Sequence, residues 1–211
     1  MTVVEFEIQK NVALVTLNRP EARNAISPEV VIRLAKIWEE VRDNDEIRVA
    51  ILTGEGDKAF SSGADLAKLV PLFSGGRTPE DDWDNAVMEN PKLINRSLLR
   101  SFDTEKPIIA AVNGHAIAGG MELVQGTDLR VSVPNALFGV QEVKRALFPA
   151  GGSTVRLPVQ LPYAKAMELL LVGDLITAQD ALDWGLLNYV VPKDLLLPKA
   201  FDIASKIAKN G

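Results

Sequence analysis

Residues 113–124 read NGHAIAGGMELV and directly follow PIIAAV at 107–112. That preceding run is apolar throughout, the pattern of a strand buried on both faces. Alanines and the pair Gly119–Gly120 then let backbone approach backbone, or a ligand. One carboxylate follows, Glu122, set among Met121, Leu123 and Val124. A charged side chain in an interior setting needs a partner or a task. The stretch supports two readings. In the first turn of a helix, the positive helix end favours the carboxylate while apolar burial favours the neutral acid. Those opposed effects poise a group for proton transfer. Alternatively, Glu122 forms a buried ion pair with an arginine such as Arg130.

Outward from this stretch, strands and helices alternate. Strands are expected at 3–9 and 12–18, with a tight turn at Lys10 and Asn11. The loop NRPEARNAIS leads to Ser27 and Pro28, a helix cap and first helical residue. The helix that follows has Val30, Val31, Leu34, Ile37, Trp38 and Val41 at helical spacing. IRVAILTG is a buried strand, and GEGDKAFSSGAD a glycine-rich turn. Residues 64–73 suggest a short helix, 74–85 a mobile polar loop, and the residues to about Arg100 another helix. After the central motif come a short helix, strands in TDLRVSV and ALFGV, and a helix in PYAKAMELLLVG stopped by Gly173. Thr177 and Asp180 form part of a capping box for TAQDALDWG, which Gly185 ends. LLNYVVP is a strand, and a helix starts at Lys193. No repeat of fixed period is present. The alternation predicts an α/β architecture.

Composition removes several function classes. The chain has 211 residues, which suits one domain with a sizeable core. Its net charge of −5 argues against binding nucleic acid through phosphate neutralisation. It has no cysteine, so disulfides, thiolate nucleophiles and zinc–thiolate sites are excluded, and a reducing, cytoplasmic setting is expected. The first residues carry acidic groups and no long apolar core, unlike a secretory signal. No apolar run reaches the length of a membrane span. The single histidine, His115, rules out a two-histidine zinc helix, and no G-x-S-x-G elbow accompanies it. His115 is read chiefly as a hydrogen-bonded structural residue, with a substrate contact as the lesser alternative.

Gly54-x-Gly56-x-x-Ala59 loosely matches a dinucleotide fingerprint, but FSSGAD interrupts before any helix, so a plain loop is expected. FSSGADL and AGGMEL each bring a glycine-flanked helix start after a strand. Unpaired N–H groups at two such starts can converge on one carbonyl oxygen. Glu142, after LFGV, is the second notable carboxylate; its plain alternative is a surface charge paired with Lys144 or Arg145.

With LNRPEARNAIS, AFSSGADL, AAVNGHAIAGGMEL, ALFGVQE and FPAGGS in this order and spacing, the chain resembles the enoyl-CoA hydratase/isomerase, or crotonase, family over essentially its whole length. The resemblance implies a ClpP/crotonase-like spiral of β-β-α units in residues 1–190. It implies that residues 191–211 begin a C-terminal helical region, which would continue past ASKIAKNG. It also implies homotrimers or homohexamers acting on acyl-CoA thioesters, with no nucleic-acid or membrane partner. By resemblance, the oxyanion donors are the Ala64 and Gly119 N–H groups, and Ser62, Asp65, Leu66 and, more weakly, Ala22 contact CoA. Glu122 and Glu142 fall at the catalytic glutamates of hydratases. The implied reaction adds water across the C2–C3 double bond of a 2-enoyl-CoA with no metal or redox cofactor, CoA being part of the substrate. The alternatives are a double-bond isomerase or another enolate-forming enzyme of the family, and a non-catalytic scaffold.

Three positions depart from the common pattern. Gln141 stands where many hydratases have proline, and Ala118 and Ala150 replace common glycines. Ala150 is expected to adjust the pocket near Glu142. The segment 71–91 covers the part that shapes the acyl pocket, and a bulkier or branched acyl group is one expectation for it.

Overall fold

The computed structural model describes residues 2–210. A hairpin opens the chain, β1 (Val4–Gln9) and β2 (Val12–Leu17), with Lys10 and Asn11 both left-handed at the turn. The 16-residue helix α1 (Pro28–Asp43) follows. Its cap is Ser27, whose side chain accepts from Val30 N–H, and Pro28 fits the first turn because the missing donor has no partner there anyway. Trp38 on its inner face is fully buried and donates Nε1–H to Ser97 O at 3.0 Å.

Next come β3 (Val49–Gly54), β4 (Ala59–Ser61), α2 (Val70–Ser74), α3 (Asp82–Glu89) and α4 (Lys92–Ser97). β5 (Ile108–Val112), β6 (His115–Ile117) and α5 (Gly119–Gln125) form the central motif. β7 (Leu129–Ser132), β8 (Leu137–Gly139), α6 (Ser153–Gln160), α7 (Tyr163–Val172), β9 (Ile176–Thr177), α8 (Ala178–Asp183), β10 (Tyr189–Val190) and α9 (Lys193–Ala208) complete it.

From β3 to β8 successive strands alternate between two sheets. The larger has the order β1-β2-β3-β5-β7-β10, parallel except for the first hairpin. The smaller has the order β4-β6-β8-β9, its first three strands parallel. Thus β3–β4, β5–β6 and β7–β8 each place one strand in each sheet, which is the expected spiral. β3 and β5 are buried at every residue, as their uninterrupted apolar runs require. α9 lies on the large sheet through buried Leu196, Ala200, Ile203 and Ala204, so residues 193–208 pack against the core.

Several expected elements are corrected. The glycine-rich turn 54–65 contains β4, which two buried asparagines fasten in place. Asn24 Nδ2 donates to Ala59 O at 2.8 Å, and Asn113 Nδ2 donates to Gly56 O at 3.1 Å. No helix fills 64–73. Asp65 instead folds back on the N–H groups of Ala67 and Lys68, and a short helix begins only at Val70, ahead of Pro71. The segment 74–85 is ordered by an ion pair between Arg77 and buried Asp84 at 2.7 Å, and Asp81 caps α3. The helix expected up to Arg100 is two helices, α3 and α4, separated at Asn90 and Pro91. α6, which follows Gly152, adds a helix between ALFGV and the 162–173 helix.

Candidate active site

The three parallel strands of the small sheet deliver the candidate groups at one end. The chain leaving β4 reaches Gly63 and Ala64. The chain leaving β6 reaches Ala118, Gly119 and Glu122. The chain leaving β8 reaches Glu142. Side chains and loops at the carboxyl ends of parallel strands share one crevice, so residues far apart in sequence meet.

Ala64 is placed by the NRPEARNAIS loop. Ile26 N–H donates to Gly63 O at 2.8 Å, and Asp65 N–H donates to Ile26 O at 3.0 Å. Ser62 N–H donates to Arg23 O, and Gly63 N–H to Ser61 Oγ. Ala64 N–H is therefore flanked by engaged donors yet has no acceptor among the described residues. Gly119 N–H, at the first residue of α5, has none there either. The two backbones touch: a Cβ on Gly63 would lie 2.9 Å from Gly119 N, and one on Gly119 would lie 3.5 Å from Ala64 N. Two free donors this close can hold one oxygen. Gly120 admits no side chain, because its Cβ would sit 2.1 Å from Ser61 O.

Glu122 is buried in the first turn of α5. Ser153 N–H donates to its Oε1 at 3.1 Å, and Gly151 N–H and the Ser153 hydroxyl also stabilise its charge. Burial is the largest influence and keeps the carboxyl above its ordinary value despite those donors and nearby Arg156. A side chain at Gly151 would push the carboxylate aside, since its Cβ would fall 2.2 Å from Glu122 Oε2. Arg130 is not its ion-pair partner. That guanidinium donates to the carbonyls of Val124, Thr127 and Leu186 instead, and burial lowers it to about 10.

Glu142 opens a 3-10 turn (Glu142–Arg145) and is half-buried. It pairs with neither Lys144, which binds Asp174, nor Arg145; its Oε2 is buried without a hydrogen-bond partner among the described residues. Burial, helped by the charge of Glu122, pushes it up to about 7. The charge of Glu122 thus reaches Glu142 across the site and favours its protonated form.

The other candidate residues are placed as follows. Ser62 and Ala22 are half-buried, Ser62 N–H donating to Arg23 O next to Ala22 in the chain, and Leu66 is 73% exposed. The Asp65 carboxylate is turned inward onto Arg19 at 2.9 Å, and that partner with the two N–H groups outweighs burial and lowers it. A side-chain contact of Asp65 with CoA is therefore disfavoured, and its backbone is engaged too, its N–H donating to Ile26 O and its carbonyl accepting from Leu69 and Val70 N–H. His115 accepts from Leu137 N–H at 3.1 Å through Nδ1, the structural role expected. Ala150 precedes the glycine that lies on Glu122, and its carbonyl accepts from Arg100. Gly151, Ser153 and Arg156 escaped sequence reasoning as site residues. Their signal was the GGS that opens a helix, the same glycine-before-helix pattern as in AGGMEL.

Residues 7–211 match the family described as enoyl-CoA hydratase/isomerase. The chain belongs to the enoyl-CoA hydratase/isomerase family. It is 43% identical over 198 residues to Enoyl-CoA hydratase EchA19 of Mycobacterium tuberculosis, covering 94% of this chain and 71% of that one. It is 41% identical over 205 residues to (E)-benzylidenesuccinyl-CoA hydratase of Thauera aromatica, covering 97% and 76%. The crystal structure of a carnitinyl-CoA hydratase from Mycobacterium avium superposes with a TM-score of 0.88 at 38% identity, covering 100% of this chain and 77% of that one. The spiral described above is thus the crotonase fold of this family. No helix among the described residues is long and apolar enough to cross a membrane.

Proposed function

We propose that the protein is an enoyl-CoA hydratase. It adds water across the 2,3 double bond of a 2-enoyl-CoA thioester. The observation that carries this reading is a buried carboxyl, Glu122, and a half-buried one, Glu142, that feels its charge, in the same crevice as two unengaged N–H groups. Hydratases among the relatives support it.

In the proposed reaction the thioester oxygen accepts from Ala64 N–H and Gly119 N–H. Ionised Glu122 orients a water molecule and takes a proton as its oxygen bonds to C3. Electrons of the double bond move onto the thioester oxygen, and the two donors stabilise that enolate by about 3 kcal/mol each. Protonated Glu142 then delivers a proton to C2 as the carbonyl re-forms. Water gives its hydroxyl to C3 and its proton to Glu122, and transfer of that proton from Glu122 back to Glu142 through solvent restores both carboxyls, so one water is consumed per turnover. Ala22, Ser62 and Leu66 form the rim proposed for CoA, with Asp65 shaping it from within. Assembly as a trimer or hexamer and a cytoplasmic location belong to the same proposal.

Isotopes test it directly. Reaction of a 2-enoyl-CoA in 18O-labelled water should give a 3-hydroxyacyl-CoA carrying the label at C3, and D2O should place one deuterium at C2. A shifted double bond without label would assign the protein to the isomerases. Loss of neither double bond nor thioester would leave the scaffold reading.

A further inference from the structure

Arg156 lies on α6, one turn after Ser153, and takes part in no ion pair among the described residues. Its guanidinium is spent on backbone carbonyls of two other segments. Nη1 donates to Glu122 O at 3.2 Å and to Leu98 O at 3.3 Å, and Nη2 donates to Leu99 O. Leu99 is left-handed at φ 57°, so the clamp braces a strained bend. Leu98 lies beside the cradle of Glu122, its Cδ1 2.7 Å from where a Gly151 Cβ would sit. The same helix start supplies Ser153 N–H to Glu122 Oε1. One cation therefore joins the helix that carries Glu122, the helix that carries its donor, and the turn beside both. Arginine suits this, because its planar fork serves several acceptors and keeps its charge when buried.

We propose that Arg156 is a positioning residue for Glu122: it holds the carboxylate and its backbone donors in register, and its unpaired charge favours the ionised form that activates water. The inference rests on the hydratase reading for its catalytic consequence, but its decisive readout does not. The charged groups facing Glu122 are Arg156 on α6 and Glu142 on the 3-10 turn. Arg100, after α4, acts in turn on Arg156. Arg130, on β7, grips the other end of α5. Burial pushes Arg156 below the ordinary arginine range, Glu122 pushes it back up, and Arg100 adds to the lowering.

Carboxyl-13C labelling of glutamate makes the Glu122 titration visible by NMR, with Glu122→Gln identifying its signal. Arg156→Met should raise the Glu122 midpoint by about half a unit or more, and Arg156→Lys, which keeps the charge without the fork, should leave it within about 0.2 units. In turnover of a 2-enoyl-CoA, both variants should lose about tenfold or more in kcat with KM changed less than about threefold. Only Arg156→Met should move the acid limb of the pH–rate profile upward. An unmoved midpoint in folded Arg156→Met, or wild-type kcat in Arg156→Lys, overturns the proposal. If Arg156→Met does not fold, Arg156→Gln supplies the uncharged comparison under the same criteria. A wild type that does not hydrate enoyl-CoA overturns the hydratase reading, and the NMR midpoints still decide the role of Arg156 toward Glu122.

Discussion

Ala118 carries its Cβ at φ 52° and ψ −124°, a conformation that favours glycine. The position matters because the turn it makes brings Gly119 N beside the Gly63–Ala64 backbone. Ala118→Gly relieves the strain but loosens the unfolded chain, so it should leave stability unchanged or raised by up to about 1 kcal/mol in urea unfolding. Gly63 tests the donor pair itself. Its φ is +88°, and a Cβ would press on Gly119 N at 2.9 Å. Gly63→Ala should cost roughly 100-fold or more in kcat, because the oxygen to be held loses its place. The check is steady-state turnover beside circular dichroism; near-normal kcat in a folded variant would remove the hole from this spot.

At the scale of elements, the segment between α2 and α3 is held chiefly by the ion pair of half-buried Arg77 with buried Asp84. Asp84→Ala removes the partner of Arg77 and the acceptor of Glu80 N–H, and should cost roughly 1–3 kcal/mol. Hydrogen exchange should quicken first in residues 70–89. The Arg77 contact outweighs burial and holds Asp84 below its ordinary value of 3.8. Its stabilisation is therefore present above about 3.8 and lost as pH falls through the lowered value.

This pair also shows what the sequence withholds. SGGRTPEDDWDN is polar and glycine-bearing, so a mobile loop is the natural expectation; nothing local reveals that Asp84 turns inward. β4 stayed hidden for a similar reason. It has three residues, and its fasteners Asn24 and Asn113 lie 35 and 54 positions away from Ala59. β3, β5 and α1 were legible because burial writes itself into an unbroken apolar run or a helical period. At the site, Glu122 stood out as a carboxylate among apolar neighbours. Ser153, 31 positions later, and Arg156, 34 positions later, act on it through contacts that no local pattern encodes.

For the whole molecule, the carboxyls set activity and stability against each other. Glu142 has a folded value of about 7 against an ordinary 4.5. The folded state therefore binds more protons than the unfolded one between those values, and this residue's contribution is most favourable below about 4.5. Stability falls as pH rises toward 7, with the full cost present above it. Glu142→Gln should remove that dependence, gaining about 1–3 kcal/mol more at pH 8 than at pH 5 in denaturant unfolding, after allowance for the exposed part of the side chain. An equal effect at both pH values would contradict the raised value. A group that costs stability when ionised and lies within reach of a second carboxyl is the kind that function retains.

The central claim is that two carboxyls share one hydration reaction, and loss of enoyl-thioester absorbance measures it most directly. Wild type, Glu122→Gln and Glu142→Gln would be assayed with one short and one bulky 2-enoyl-CoA. The account predicts hydration by wild type and a fall of about 100-fold to 10,000-fold in kcat in each variant, with KM little changed. Full activity in either variant, or a wild type that leaves the conjugated double bond untouched while folded, would contradict it.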